Sequence, residues 1–198
     1  MTADPERSAG PTLSFARGLP LTRDAIAFAQ EHHRRQRRAG DRAPFLVHPL
    51  EVASYLERAG YPDHVVAAAV LHDVLEDTDV HRGELESLFG RGVSDLVALV
   101  SDDPAIEDSE LRKDEVRERV RGADGYALVV FGADKVSKAR ELRMELAQGL
   151  DPAEGEVKLR RYRKALAMLE QEVPGNRIAE LLRFELEALE ALPPRPSS

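Results

Sequence analysis

The sequence contains no cysteine among its 198 residues, which excludes a disulfide framework and thiolate ligands for zinc. Any metal ion would therefore be held by histidine, aspartate or glutamate. No apolar run approaches the eighteen or so residues of a membrane span. The N-terminal segment also lacks the charged start and apolar core that are typical of a signal peptide. These absences predict a cytoplasmic protein without a membrane span.

Positive charge is in the minority, since the formal net charge is −8. This balance argues against general electrostatic binding of nucleic acid. The local exception is the basic block HHRRQRR at positions 32–38. A block of this kind is either a solvated helix face or a surface that contacts phosphate.

The pattern of apolar residues predicts helices along nearly the whole chain and no convincing β-hairpin. With 42% hydrophobic and 32% charged residues, the composition is that of a globular protein. We therefore predict an all-α fold with one domain over residues 19–192. Residues 1–18 are expected to be a disordered N-terminal segment, and residues 193–198 a flexible tail.

Three predicted helices near the N-terminus carry or border most of the candidate functional residues. Thr22 can cap the first helix, which would continue through the basic block to about Ala39. Pro49 suits the first position of the second helix. The third would begin at Pro62 and run, buried on most sides, through Leu75.

The stretch LHDVLEDT places four ionisable residues next to a buried apolar run. Residues three and four apart share one face of a helix, so His72, Asp73, Glu76 and Asp77 would lie together. Three close carboxylates repel one another unless a cation neutralises them or protons are retained. The alternative interpretation is a solvated acidic helix end, which suits Asp77 but does not explain His72 and Asp73 between apolar neighbours.

Two further polar residues stand in apolar surroundings. His48 lies at a predicted loop-to-helix junction in FLVHPLEVA, and Asp134 lies within the apolar helix ALVVFGADKV. Taken alone, His48 would more often be an ordinary partly buried histidine. Asp134 alone is compatible with a salt bridge to Lys135, Lys138 or an arginine of another helix. Together with His72 and Asp73 they would form a nitrogen and oxygen site with room for water, as catalytic metal sites require.

In their order and spacing these stretches resemble the HD-domain metal-dependent phosphohydrolases, in particular the hydrolase domain of RelA/SpoT homologues and the small alarmone hydrolases. The resemblance covers residues 24–146 and rests on the following segments: HHRRQRRAG, APFLVHPLEVASYLERAG, VAAAVLHDVLEDTDV, LVSDDPAIEDSELRKDEV and GADKVSKARELRMEL. It implies a helical HD-domain bundle that binds one Mn²⁺ and removes pyrophosphate from the 3′ position of (p)ppGpp, leaving GDP or GTP. Spacing alone does not distinguish Mn²⁺ from Zn²⁺ or Fe²⁺.

The resemblance also implies a role for each matching residue. The expected metal ligands are His48, His72, Asp73 and Asp134. Glu76 and Asp77 match the acidic pair that activates water, and Arg38 matches a basic residue that faces the substrate. Lys138 does not match the family pattern, but we expect its charge, with that of Arg38, to offset charge on the phosphates. His33 and Gln36 match an H-x-x-Q motif that is expected to support the site.

Three positions depart from the family pattern and concern the substrate rather than the metal. Lys138 replaces a common asparagine, Phe131 replaces a common lysine, and Ala39 replaces a frequent basic residue. They leave open a related substrate, such as ppApp, NADPH, a deoxynucleotide or a pyrophosphorylated RNA end. A non-catalytic regulatory or antitoxin protein with the same fold is the alternative outside enzymes. A nucleotide is the expected small-molecule partner, and the sequence is compatible with either a monomer or a homo-oligomer.

Overall fold

The chain folds as an all-helical bundle, as the apolar pattern predicts. The computed structural model describes residues 11–38 and 41–191, and in this part of the chain it contains helices, turns and one isolated β-bridge. The α-helices are α1 (Pro20–His32), α2 (Val47–Arg58), α3 (Asp63–Leu71), α4 (Val74–Asp77), α5 (Arg82–Phe89), α6 (Arg91–Val100), α7 (Ser109–Arg121), α8 (Gly125–Gln148), α9 (Pro152–Glu172) and α10 (Arg177–Glu190).

Helices α3 and α8 form the centre of the bundle. Every residue from Val65 to Leu71 on α3 is fully buried, and α3 packs against α1, α2, α6 and α8. The N-terminal half of α8 is equally apolar and packs against α2, α9 and α10. Polar side chains on the buried stretches of these two helices therefore lie in an environment from which water is largely excluded. None of the helices in the described residues is long and apolar enough to cross a membrane.

The third helix is shorter than predicted. It ends at Leu71, and a turn at His72 and Asp73 separates it from the single turn α4. Neighbouring residues on an uninterrupted α-helix point about 100° apart. At this turn the adjacent side chains of His72 and Asp73 nevertheless approach the same point.

Thr22 is not the N-cap of the first helix, which begins at Pro20. Instead, the carboxylate of Asp63 accepts hydrogen bonds from the backbone N–H groups of Leu21 and Thr22, each at 2.9 Å. The Thr22 hydroxyl donates to the same carboxylate at 2.6 Å. Unpaired N–H groups at the start of α1 thus find their hydrogen-bond acceptor in a residue of α3. Sequence spacing does not reveal this tertiary contact.

The basic block is also not helical beyond His32, where α1 ends. The backbone N–H of Arg38 donates to the carbonyl of Ala43, and that of Phe45 donates to the carbonyl of Gln36. These bonds fold the block back on the segment before α2. Ala39 lies outside the described residues.

The N-terminal segment that we predicted to be disordered is ordered in part. Within it, Pro11–Ala16 form a short 3₁₀-helix, and Ala16 is fully buried. This helix packs against α1 and α2, because the apolar surface at the start of those helices needs a cover. The predictions for residues 1–10 and 193–198 fall outside the described residues.

Candidate active site

Three of the predicted metal ligands meet between α2, the end of α3 and α8. The Nε2 atoms of His48 and His72 are 3.3 Å apart. The Oδ1 atom of Asp134 lies 3.1 Å from the first nitrogen and 3.6 Å from the second. All three residues are buried, and one potential ligand atom from each lies within 4.8 Å of the others.

Asp73 completes the group from the turn that follows α3. Its Oδ1 atom lies 3.2 Å from His72 Nε2, and its Oδ2 atom lies 3.6 Å from His48 Nε2. The structure therefore brings together His48, His72, Asp73 and Asp134, which are up to 86 positions apart in the sequence. We call these four residues the HD cluster.

The hydrogen bonds of the imidazoles make both Nε2 atoms suitable for binding a cation. His72 Nδ1 donates to the carbonyl of Ala69 at 2.8 Å, and His48 Nδ1 is 2.9 Å from the hydroxyl of Ser137. A neutral imidazole that donates through Nδ1 presents a lone pair at Nε2. Two lone pairs at this separation, beside two carboxylates, require a positive charge between them. The donor set suits a divalent cation, since imidazole nitrogen and carboxylate oxygen are both common ligands of such ions.

Two lysines supply positive charge to the HD cluster. Lys135 Nζ lies 2.5 Å from Asp134 Oδ2, and Lys138 Nζ lies 3.0 Å from Asp134 Oδ1. Asp134 thus forms the predicted salt bridges with Lys135 and Lys138, and it also belongs to the HD cluster. Burial by itself would raise the pKa of Asp134, but the two ammonium groups outweigh it and hold that pKa well below its ordinary value.

His72 has an increased affinity for a proton. Burial by itself would lower its pKa, but the charges of Asp73 and Asp134 outweigh it and raise the pKa from 6.5 to about 9. A proton on this imidazole and a divalent cation in the cluster therefore meet the same need for positive charge and exclude each other.

The raised pKa predicts how the stability of metal-free protein depends on pH. Because the folded-state pKa of His72 lies above the unfolded value, its stabilising contribution is complete below pH 6.5 and is lost as the pH rises towards about 9. The free energy of unfolding in chelator should therefore fall over this window. Urea titrations at several pH values measure it. A His72→Gln variant should lose this part of the pH dependence, and an equal slope in both proteins would contradict the assignment.

The acidic pair lies at the exposed edge of the cluster, on α4. Glu76 Oε1 accepts a hydrogen bond from the backbone N–H of Asp102 at 2.8 Å, which fixes its carboxylate. The surrounding protein displaces water from both carboxyl groups, and Asp73 adds a nearby negative charge. Both effects raise the pKa of Glu76 and of Asp77. A raised pKa makes a carboxylate a better acceptor of a proton from water, as a general base requires.

The H-x-x-Q motif reaches the acidic pair through its glutamine. The Gln36 amide donates to the backbone carbonyl of Asp77 at 2.7 Å, and its Oε1 atom is 2.6 Å from His33 Nδ1. The buried His33 ring thus holds Gln36, and Gln36 holds the end of α4. These contacts are consistent with the supporting role that we predicted.

Arg38 does not contact the HD cluster. It is largely buried, with its guanidinium 3.3 Å from Glu141 and 3.4 Å from Asp41. It lines a neighbouring cleft, which also contains Glu51 and Arg140. Its predicted contact with substrate therefore requires a substrate that extends from the cluster into this cleft.

Sequence analysis missed two residues that hold the site. Ser137 contacts His48, and Glu51 contacts Ser137 at 2.7 Å. Ser137 and Glu51 each follow a predicted ligand by three positions, so helical spacing could have placed them on the ligand faces of α8 and α2. Their contact with each other depends on how the two helices pack.

Comparisons with known proteins agree with this geometry. The HD domain family model named HD_4 matches residues 25–148. "Guanosine-3′,5′-bis(diphosphate) 3′-pyrophosphohydrolase MESH1" of Mus musculus is 39% identical over 122 residues, covering 60% of this chain and 68% of the relative. The human protein of the same name is 38% identical over 129 residues, covering 64% and 72%.

The fold is also similar to that of a solved structure described as a metazoan orthologue of SpoT that hydrolyses ppGpp. The two superpose with a TM-score of 0.76 at 28% identity, over 87% of this chain and 96% of the other. The matched residues 25–148 include the whole HD cluster and the acidic pair. The chain belongs to the HD domain family.

Proposed function

We propose that this protein is a divalent-cation-dependent hydrolase that removes pyrophosphate from the 3′ position of (p)ppGpp and leaves GDP or GTP. The observation that carries the proposal is the convergence of His48, His72, Asp73 and Asp134 beside the acidic pair. The names of the relatives support the substrate. We propose Mn²⁺ as the ion, on the basis of the family resemblance.

A cleft on the Glu51 side of His48 has the chemistry that a nucleotide with several phosphates requires, and its lining residues belong neither to the HD cluster nor to the acidic pair. It has a volume of about 490 Å³ and room for a small-molecule ligand. Apolar and charged side chains both line it, so that a base can pack on the former while phosphates meet guanidinium groups. The arginines of this lining are Arg38, Arg58, Arg140 and Arg143, and its apolar residues include Phe15, Val47, Leu50 and Met144.

In the proposed mechanism, the HD cluster holds the cation and the acidic pair moves the proton. When bound, the cation supplies Lewis-acid polarisation of a water molecule and of the phosphate oxygens. Glu76 or Asp77 accepts a proton from the attacking water, whose oxygen bonds to the phosphorus that carries the ribose 3′ oxygen. The bond from this phosphorus to the 3′ oxygen breaks. The same carboxyl group returns the proton to that oxygen, and pyrophosphate leaves.

We propose that Lys138 neutralises negative charge on the substrate phosphate, in addition to the charge of Asp134. Its ammonium lies 3.0 Å from Asp134 Oδ1, at the border of the cluster. We expect Lys138→Met to raise KM for ppGpp by about tenfold, which corresponds to about 1.4 kcal/mol of lost binding, with kcat little changed. Steady-state kinetics at saturating cation measure both constants. The matched control is Lys164→Met, which removes an exposed lysine of α9. An unchanged KM in Lys138→Met would remove this residue from the substrate contacts.

The test of the proposed function uses purified protein that has been stripped with chelator and reloaded with Mn²⁺, Zn²⁺ or Fe²⁺. We expect GDP and pyrophosphate in equal amounts from ppGpp, with Mn²⁺ giving the fastest turnover. A panel of ppApp, NADPH, a deoxynucleotide triphosphate and a 5′-pyrophosphorylated RNA tests the alternatives that Phe131 and Lys138 leave open. Orthophosphate instead of pyrophosphate, or faster turnover of another substrate, would replace the guanosine assignment. Cation binding without hydrolysis of any substrate would favour the non-catalytic alternative.

The domain limits, a cytoplasmic location and the oligomeric state stay predictions. The described helices share one connected core cluster, which supports a single domain. Sedimentation of the full chain at several concentrations would decide between a monomer and a homo-oligomer.

A further inference from the structure

A chain of hydrogen bonds runs from the HD cluster to the surface of the neighbouring cleft. His48 Nδ1 lies 2.9 Å from Ser137 Oγ, and the Ser137 hydroxyl lies 2.7 Å from Glu51 Oε2. The other oxygen of Glu51 accepts hydrogen bonds from the hydroxyl of Tyr55 at 2.8 Å and the guanidinium of Arg140 at 2.9 Å. We call His48, Ser137 and Glu51 the histidine relay.

The direction of each bond in the relay follows from counting protons. Glu51 faces donors at both oxygens, so it acts as an acceptor throughout. The Ser137 hydroxyl has one proton, and this proton must point at Glu51, because two oxygens at 2.7 Å with no proton between them would repel each other. The oxygen of Ser137 can then only accept from His48, so Nδ1 carries the proton and Nε2 carries the lone pair.

The groups at the Glu51 end of the relay support the same direction for its hydrogen bonds. Burial and the Glu51 carboxylate raise the pKa of Tyr55, which keeps its hydroxyl protonated and able to donate. Arg140 always carries its charge. These two donors fix Glu51 as the acceptor of the Ser137 proton.

On this basis we propose that Ser137 and Glu51 are positioning residues that hold His48 in the tautomer whose Nε2 lone pair faces the cation site. The inference rests on the proposed function, because it assigns these two residues a role towards the cation that the HD cluster would hold. Neither residue touches that cation or the reacting atoms. Partners of this kind for a ligand histidine typically change metal affinity by about 10- to 100-fold when they are removed.

Two substitutions test the relay in different ways. Ser137→Ala removes the acceptor at His48 Nδ1 and leaves the ring free to adopt either tautomer. Glu51→Gln keeps the size of the side chain but introduces an amide, whose oxygen should remain on the side of Arg140. The amide nitrogen would then donate to Ser137, and the serine proton would turn to His48 Nδ1. This reversal places a proton on Nε2, where the cation should bind.

The first measurement is the affinity for Mn²⁺ alone, without nucleotide, by electron paramagnetic resonance titration. We expect both variants to bind about 10- to 100-fold more weakly than the wild type, and Ser137→Ala to regain near wild-type kcat at saturating Mn²⁺. The control is Ser94→Ala on α6. Ser94 is buried, and its hydroxyl donates only to the carbonyl of Arg91 in its own helix. The proposal would be overturned if a variant had a lower melting temperature but a Mn²⁺ affinity within threefold of the wild type.

The second measurement reports the tautomer directly and needs no metal. Nitrogen-15 spectra of metal-free protein with labelled histidine, at alkaline pH, should show the His48 proton on Nδ1 in the wild type. The proton should move to Nε2 in Glu51→Gln. An unchanged Nδ1 proton in that variant would refute the relay. If wild-type protein bound no divalent cation, the proposed function would fail, whereas the tautomer spectra would still test the relay.

Discussion

Asp73→Ala should abolish binding of the divalent cation and lower hydrolysis of ppGpp by about 10³-fold or more. Asp73 reaches both imidazole nitrogens of the cluster from one carboxylate. Burial by itself would raise its pKa, but the charges of His72, Lys138 and His48 outweigh it and lower that pKa, so the group is ionised. Alanine removes a charged ligand from a buried site where water is a poor substitute. Each factor of ten in rate corresponds to about 1.4 kcal/mol, so the expected loss is about 4 kcal/mol or more.

Isothermal titration with Mn²⁺ and a pyrophosphate-release assay measure the two effects of this substitution. Asp95→Ala is the matched control, because Asp95 lies on α6 in surface ion pairs with Arg82 and Arg91. Asp73 makes no side-chain cap to α4, so the helical content of the variant should be unchanged by circular dichroism. Full Mn²⁺-dependent activity in a folded Asp73→Ala protein would remove the HD cluster from the mechanism.

Glu76→Gln should leave cation binding intact and lower kcat by about 10²- to 10⁴-fold, the usual contribution of a general base or acid. The amide keeps the size of the side chain and can still accept the backbone hydrogen bond that Glu76 receives from Asp102. It cannot take up a proton from water. Since the substrate would bind through the arginines of the cleft, KM should change little.

Parallel measurements on Asp77→Asn decide which member of the acidic pair is the base, since only one of the two variants should show the full loss. Glu86→Gln, an exposed glutamate of α5, controls for the change in charge. If Glu76→Gln lost the cation instead of turnover, Glu76 would be a ligand and the base would have to be sought elsewhere.

The Gln36 contact indicates why the acidic pair can be positioned on a single turn of helix. A four-residue helix has little stability of its own, because helix formation needs a costly nucleus. Here the C-terminal end of α4 is held by two contacts: Gln36 donates to the carbonyl of Asp77, and the Glu76 side chain accepts from the backbone N–H of Asp102, which follows α6. Both contacts come from segments distant in sequence.

The sequence by itself determined the helical class, the apolar centre of the bundle and the identity of the HD cluster. The run Val65–Leu71 is too apolar to lie anywhere but in the core, and the absence of cysteine restricted any metal site to nitrogen and oxygen donors. His48, His72, Asp73 and Asp134 were recognisable because ionisable groups in such surroundings need partners, and because their order matches a known family.

Only the tertiary structure decided how these residues are held. The break after Leu71, the capping of α1 by Asp63 and the relay from His48 to Glu51 all join segments that are distant along the chain. Periodicity describes which face a residue occupies on its own helix, but it carries no information on which helix packs against that face. The direction of the hydrogen bonds at His48, and hence the nitrogen that is available to a cation, depends on that packing.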